Sequence, residues 1–224
     1  MPMALPTDST TAAAPNHVAF NLLTLALTLV ALGLGLAYLI DSAGRAARAP
    51  TVADNTVVTR TLSGTDLKIP LGWFRYEEIE GDGLTKQIDL KFDLPLGANG
   101  EIREVDATLV PRSRVRPSAA LLDGVYLHQF LPEQLSGPPG LVGKPLRAGD
   151  GYEGETVWYD PLSVSPFVAK CSAPLAEGAP GRCVRTVYLG AGIAAVYAFD
   201  DDALPGWRRF DEALNVRFTT IGAL

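Results

Sequence analysis

Histidine and cysteine are nearly missing from this sequence, with two of each among 224 residues. Any mechanism that moves a proton through imidazole beyond the N-terminal region must use His128. At helical spacing its neighbours are Gly124, Val125, Leu131 and Pro132, none of them a carboxylate that could orient the ring. His128 therefore reads as a helix-surface residue. Two cysteines and one nearby histidine fall short of a four-ligand zinc site. No serine stands in a Gly-x-Ser-x-Gly elbow. The glycine runs GPPG (137–140) and GDGYEG (149–154) lack the Lys-Ser/Thr ending of a phosphate loop. No catalytic residue, cofactor or metal is expected. Positive charge is also short: 19 Lys and Arg face 25 Asp and Glu, a formal charge of −6. A nucleic-acid binder needs a basic face, so nucleic acid is not expected as a partner.

Charge is absent from Val18–Ile40, VAFNLLTLALTLVALGLGLAYLI. As a helix this run would rise roughly 35 Å, against a hydrocarbon core of about 30 Å. It predicts a transmembrane helix, with Tyr38 at the interfacial end. A cleaved signal has a shorter apolar run, about 7–15 residues, behind a basic region, and neither holds here, so the anchor is read as retained. Ala31 with Gly35 and Gly33 with Ala37 form two small-xxx-small pairs, a helix–helix contact surface in the membrane. The expected division is a tail at 1–17, the transmembrane helix at 18–40, a linker at 41–60 and a soluble domain at 61–224. The expected partners are the lipid bilayer and another membrane protein or complex.

Two signals disagree about sidedness. Arg45 and Arg48 follow the apolar run, and the positive-inside rule would keep them in the cytoplasm. Cys171 and Cys183 bracket SAPLAEGAPGR, a composition suited to a loop closed by a disulfide. Such a closure is worth on the order of 3 kcal/mol. The cysteine pair is weighted above the arginines. It places the domain on the periplasmic side of a bacterial inner membrane.

Within the domain, Ile88, Leu90, Phe92 and Leu94 alternate with polar residues as a half-buried strand does, and 101–110 pairs with it. Shorter strands are expected at 156–159 and 166–170. VRTVYL and IAAVYAF flank Gly190-Ala191-Gly192 as a hairpin, the second strand apolar on both faces and central. Ser118 predicts the cap of a helix running to Pro132. A second helix follows Asp200-Asp201-Asp202 and carries the stripe Trp207, Phe210, Leu214, Phe218 and Ile221. The expected class is α+β: one N-terminal transmembrane helix, then a mixed, mainly antiparallel sheet with two packed helices.

The run GLVGKPLRAGDGYEGETVWYDP (140–161), the Cys171–Cys183 stretch, and RTVYLGAGIAAVYAF with LPGWRRFD (185–211) resemble a group of single-pass membrane proteins of alphaproteobacteria. The resemblance covers about the last third of the chain and implies a bitopic topology and a bacterial origin. It implies no activity.

Three surfaces remain. In PRSRVRP (111–117) an extended backbone would align Arg112, Arg114 and Arg116 on one face, suited to an anionic partner. The alternative is intramolecular ion pairing. Two acidic patches, Glu77, Glu78, Glu80 and Asp82, then Asp150, Glu153 and Glu155, lack the spacing of a calcium loop and read as solvated turns. The function expected is a membrane-anchored, extracytoplasmic interaction or accessory module. The competing readings are an envelope enzyme using carboxylates and a binder of lipid or a small hydrophobe.

Overall fold

Alternation of apolar and polar residues decides the larger of two sheets. The structure, a computed structural model, describes residues 21–22, 24–36, 56–76, 82–149, 151, 153–174 and 176–224. The chain divides into two units, Met1–Thr51 and Val52–Leu224.

In the second unit, β1 (Val57–Leu62) and β2 (Thr65–Pro70) form a hairpin, and β3 (Gly83–Leu84) pairs parallel to β1. Ser63 and Gly64 turn that hairpin with φ of 55° and 82°, the left-handed pair that suits strand twist. The larger sheet is antiparallel throughout, in the order β4 (Ile88–Leu94), β5 (Arg103–Pro111), β10 (Ile193–Asp200), β9 (Arg182–Tyr188), β8 (Val168–Ser172), β7 (Glu155–Tyr159) and β6 (Val142–Pro145).

One face of this sheet builds the core. Leu90 and Phe92, Val105 and Leu109, Tyr197 and Phe199, and Cys171 and Cys183 are buried there. The C-terminal helix α3 (Trp207–Ile221) and the β1–β2 hairpin complete that layer. Phe210 meets Phe199 at 4.7 Å and Tyr197 at 5.6 Å, and Phe218 meets Phe92 edge-on at 5.9 Å. Burying one such ring is worth about 1.5–3 kcal/mol. Gly222, at φ 83°, ends α3 with its N–H on the last-turn carbonyls. On the opposite face a short helix, α2 (Ser118–Gly124), and a 3₁₀ turn, Tyr126–His128, set Leu122 and Tyr126 over Val157 and Val168.

The fold differs from the expected class. The second unit is mostly β-sheet with helices set against it, and the expected N-terminal transmembrane helix is not found. Helical residues lie at 21–22 and 24–36 (α1), and no helix among the described residues is long and apolar enough to cross a membrane. The fold class is corrected accordingly; the lipid bilayer as a partner and the inner-membrane placement are not shown among the described residues. Residues 18–20 and 37–40 of the expected span, Ala37 among them, lie outside the described residues, as does most of the expected tail and linker.

Ser118 also departs from expectation. It does not cap α2; its Oγ accepts the Thr186 N–H at 2.8 Å. The helix stops at Gly124 because Val125 leaves the helical region at φ −135°.

Candidate functional site

The larger sheet comes apart between two of its strands. β8 pairs with β9 only from Lys170↔Val184 to Ser172↔Arg182. Past Lys170, β8 stays with β7, up to Tyr159↔Val168. From Arg185 to Tyr188, β9 therefore has β10 on one side and, among the described residues, no strand on the other.

Arg185 fills the base of the gap. It is 5% exposed, and its Nη2 donates to Asp211 Oδ2 of α3 at 2.7 Å. Its Nη1 reaches the Val168 carbonyl at 3.4 Å, and its guanidinium lies over the Phe167 ring at 4.5 Å. Its buried Nε–H meets no acceptor among the described residues. A buried donor left unpaired costs about 1–3 kcal/mol. Arg185 occupies an inward register position between Cys183 and Val187, where the strand otherwise places apolar side chains. That placement was the sequence signal for it, a charge at a core position.

A groove of about 440 Å³ opens here, lined along β9 from Arg185 to Leu189 and closed by Pro117, Ala119, Ser165, Pro166, Asn215 and Leu224 with Tyr197 and Asp211. Tyr197, 1% exposed, has its phenol held neutral by burial and by Asp211, with Arg185 acting in the opposite sense.

The β7–β8 loop forms one lip of the groove, and its own hydrogen bonds hold it. The Asp160 N–H bonds the Phe167 carbonyl at 3.0 Å. Asp160 Oδ1 accepts from the Leu162 N–H at 3.0 Å, and Ser163 Oγ from the Ser165 N–H at 3.1 Å. The result is costly in water: Leu162 is 91% exposed and Val164 entirely so. Sequence reasoning missed this loop, although two aliphatics between Pro161 and Pro166 were its visible sign.

Of the three arginines, Arg112 comes to the other side of the groove. Residues Arg112–Arg114 form a 3₁₀ turn rather than an extended run, so alternation does not align the side chains. The turn forms because the Arg112 N–H is drawn to the Gly192 carbonyl at 2.8 Å. Arg112 lies over the Tyr188 ring at 4.0 Å, Arg114 donates to the Lys86 carbonyl at 3.3 Å, and all three arginines are exposed. The Tyr188 hydroxyl donates to the Val115 carbonyl at 3.1 Å, tying this segment to the groove.

Other expected sites stand apart. His128 is exposed on its 3₁₀ turn. Glu77, Glu78, Glu80 and Asp150 lie outside the described residues; Asp82 accepts the Thr59 N–H and Glu155 pairs with Lys170 at 2.5 Å. Ala31, Gly33 and Gly35 sit on α1, and nothing lies within 4 Å of a Cβ built on either glycine. The disulfide is present: Cys171 and Cys183 are bonded at directly paired positions of β8 and β9.

A second polar feature, unseen in the sequence, lies on the face of β4, β5 and β10 away from the core. Asp106, 3% exposed, receives Arg75 at 3.2 Å and Arg182 at 2.5 Å, and Arg182 also holds Asp200 at 2.9 Å. This is an ion-pair network covering an otherwise bare carboxylate.

No family model matches the chain, and no curated protein matches it in sequence. Among solved structures, an immunity protein of the type IV secretion system of Stenotrophomonas maltophilia shares the fold, with a TM-score of 0.51 and 14% identity over 77% of this chain and 97% of that one. At that identity the likeness is one of fold.

Proposed function

We propose that this chain is a non-catalytic protein-binding module that acts in an oxidising compartment by docking on a partner protein, as an immunity protein does. The observation that carries this reading is the ordered 160–167 loop. Two aliphatic side chains held in water by three hydrogen bonds are destabilising for the free chain and become favourable once a partner covers them. The shared fold supports it, since the structural neighbour is named an immunity protein rather than for a reaction. The disulfide supports the compartment, because such bonds persist where the surroundings are oxidising, as in a bacterial periplasm.

A photocrosslinking side chain placed at Leu162 or Val164 tests the reading in the producing cell. The expected result is one protein joined in stoichiometric amount, lost from the Leu162 crosslinker when Val164→Asp is added and from the Val164 crosslinker when Leu162→Asp is added. A crosslinker at Val216, 63% exposed on α3, is the control. No joined protein, or the same proteins from all three positions, would count against the reading.

A further inference from the structure

We infer that the partner inserts an extended, acidic segment into the groove, where it pairs with the β9 edge at Tyr188, beyond the Thr186 N–H that Ser118 holds, and sets a carboxylate on Arg185. This rests on the protein-binding reading above and names the chemistry of what is bound. Three independent features converge on it.

The first is the edge. Antiparallel pairing turns alternate residues of a strand toward alternate neighbours. The Thr186 N–H points away from β10, since it donates to Ser118 Oγ. Tyr188, two residues on, is turned the same way and offers its backbone to a strand on that side. The groove follows this edge, so an extended segment fits where β8 has left.

The second feature is the buried donor. Arg185, which lines the groove, is anchored to Asp211 by one nitrogen, and its buried Nε–H is left without an acceptor among the described residues. A carboxylate oxygen answers that donor with a charge-assisted bond. Lysine or arginine at the same place would leave Nε–H unmet and add like charge.

The third is the field at the mouth. The chain as a whole is acidic, yet Arg112, Arg114 and Arg116 sit exposed along the segment that leads into Pro117 on the groove wall. Arg112 covers Tyr188 itself. Cations there attract an acidic segment and repel a basic one.

The test uses the full chain and three labelled, end-capped peptides: alternating Val-Glu, Val-Gln and Val-Lys heptamers, read by fluorescence anisotropy. The Val-Glu peptide is expected to bind and the Val-Lys peptide not. Arg185→Lys keeps a cation for Asp211 but removes Nε–H, and should weaken binding about tenfold or more. Charge reversal at Arg112, Arg114 and Arg116, all exposed, gives a second variant that leaves the interior alone and should weaken it as well. Amide exchange at Tyr188 should slow when the Val-Glu peptide is bound.

Equal or tighter binding of the Val-Lys peptide, binding indifferent to both variants, or no binding of any peptide would each overturn the inference. So would a free chain that sediments as a dimer with the Tyr188 amide already protected, which would make a second copy the occupant. A partner crosslinked through Leu162 with no peptide bound would sink this inference and leave the protein-binding reading in place. No partner through Leu162 would remove both.

Discussion

Tyr197 gives the fold an alkaline limit. Burial raises its phenol above the ordinary value of 10, and Asp211 adds to that, against the opposing pull of Arg185. In the unfolded chain the phenol ionises from about pH 10, whereas the folded chain keeps the proton. The unfolded state then binds fewer protons, so this contribution is fully present below about pH 10 and is lost as pH rises, at up to about 1.4 kcal/mol per pH unit. Urea unfolding at a series of pH values should show that slope, and Tyr197→Phe should flatten it. Lys91, raised by its hydrogen bond to Glu104, acts with the same sign above 10.5 but is exposed, so the phenylalanine variant separates the two. Gly206 is a second residue with a fixed role. An added Cβ would lie 2.3 Å from the Leu96 carbonyl oxygen and 2.6 Å from its Cα, backbone that cannot step aside. Gly206→Ala should cost about 1–3 kcal/mol in the same measurement. At this scale the sequence was partly legible. Phe210, Leu214, Phe218 and Ile221 are buried where helical spacing places them. Arg185 and Asp106 were not foreseen, because their burial depends on Asp211 and on Arg75, partners far away in the chain.

Elements followed from pattern wherever the pattern was local. Strict alternation gave β4, the glycine turn gave the β9–β10 hairpin, and two-sided apolarity gave β10 its central place. The pattern failed where a tertiary bond competed with a local one. Ser118 serves Thr186 in place of its own helix, and the arginine run curls because Gly192 takes its leading N–H. The long apolar run pointed to a membrane anchor on hydropathy alone, and no helix among the described residues is long and apolar enough to cross a membrane. The cysteine spacing was read as a closed loop, and the bond stands at the last rungs before β8 and β9 part. Replacing both cysteines with alanine should lower stability by about 2–4 kcal/mol. Urea midpoints of the two chains check this, and a thiol count should find two thiols after reduction and none before it.

For the whole molecule, the way the sheet is covered motivates the proposed binding end. Its inner face is spent on α3 and the β1–β2 hairpin, and part of its outer face on α2. Departure of β8 from β9 leaves a groove lined by strand backbone, a half-satisfied arginine and the Ser165–Pro166 end of the loop that carries two bare aliphatics. Their grouping was not readable before folding, since the groove draws Pro117, Pro166 and Arg185 from three separate segments. The most direct measurement is backbone hydrogen exchange on the chain alone and with its captured partner. Protection gained at 160–167 and at Tyr188, with Glu104–Asp106 and the outer surface of α3 unchanged, is the predicted footprint. Protection centred on Asp106 and Asp200, with the β7–β8 loop and β9 exchanging as before, would contradict the account.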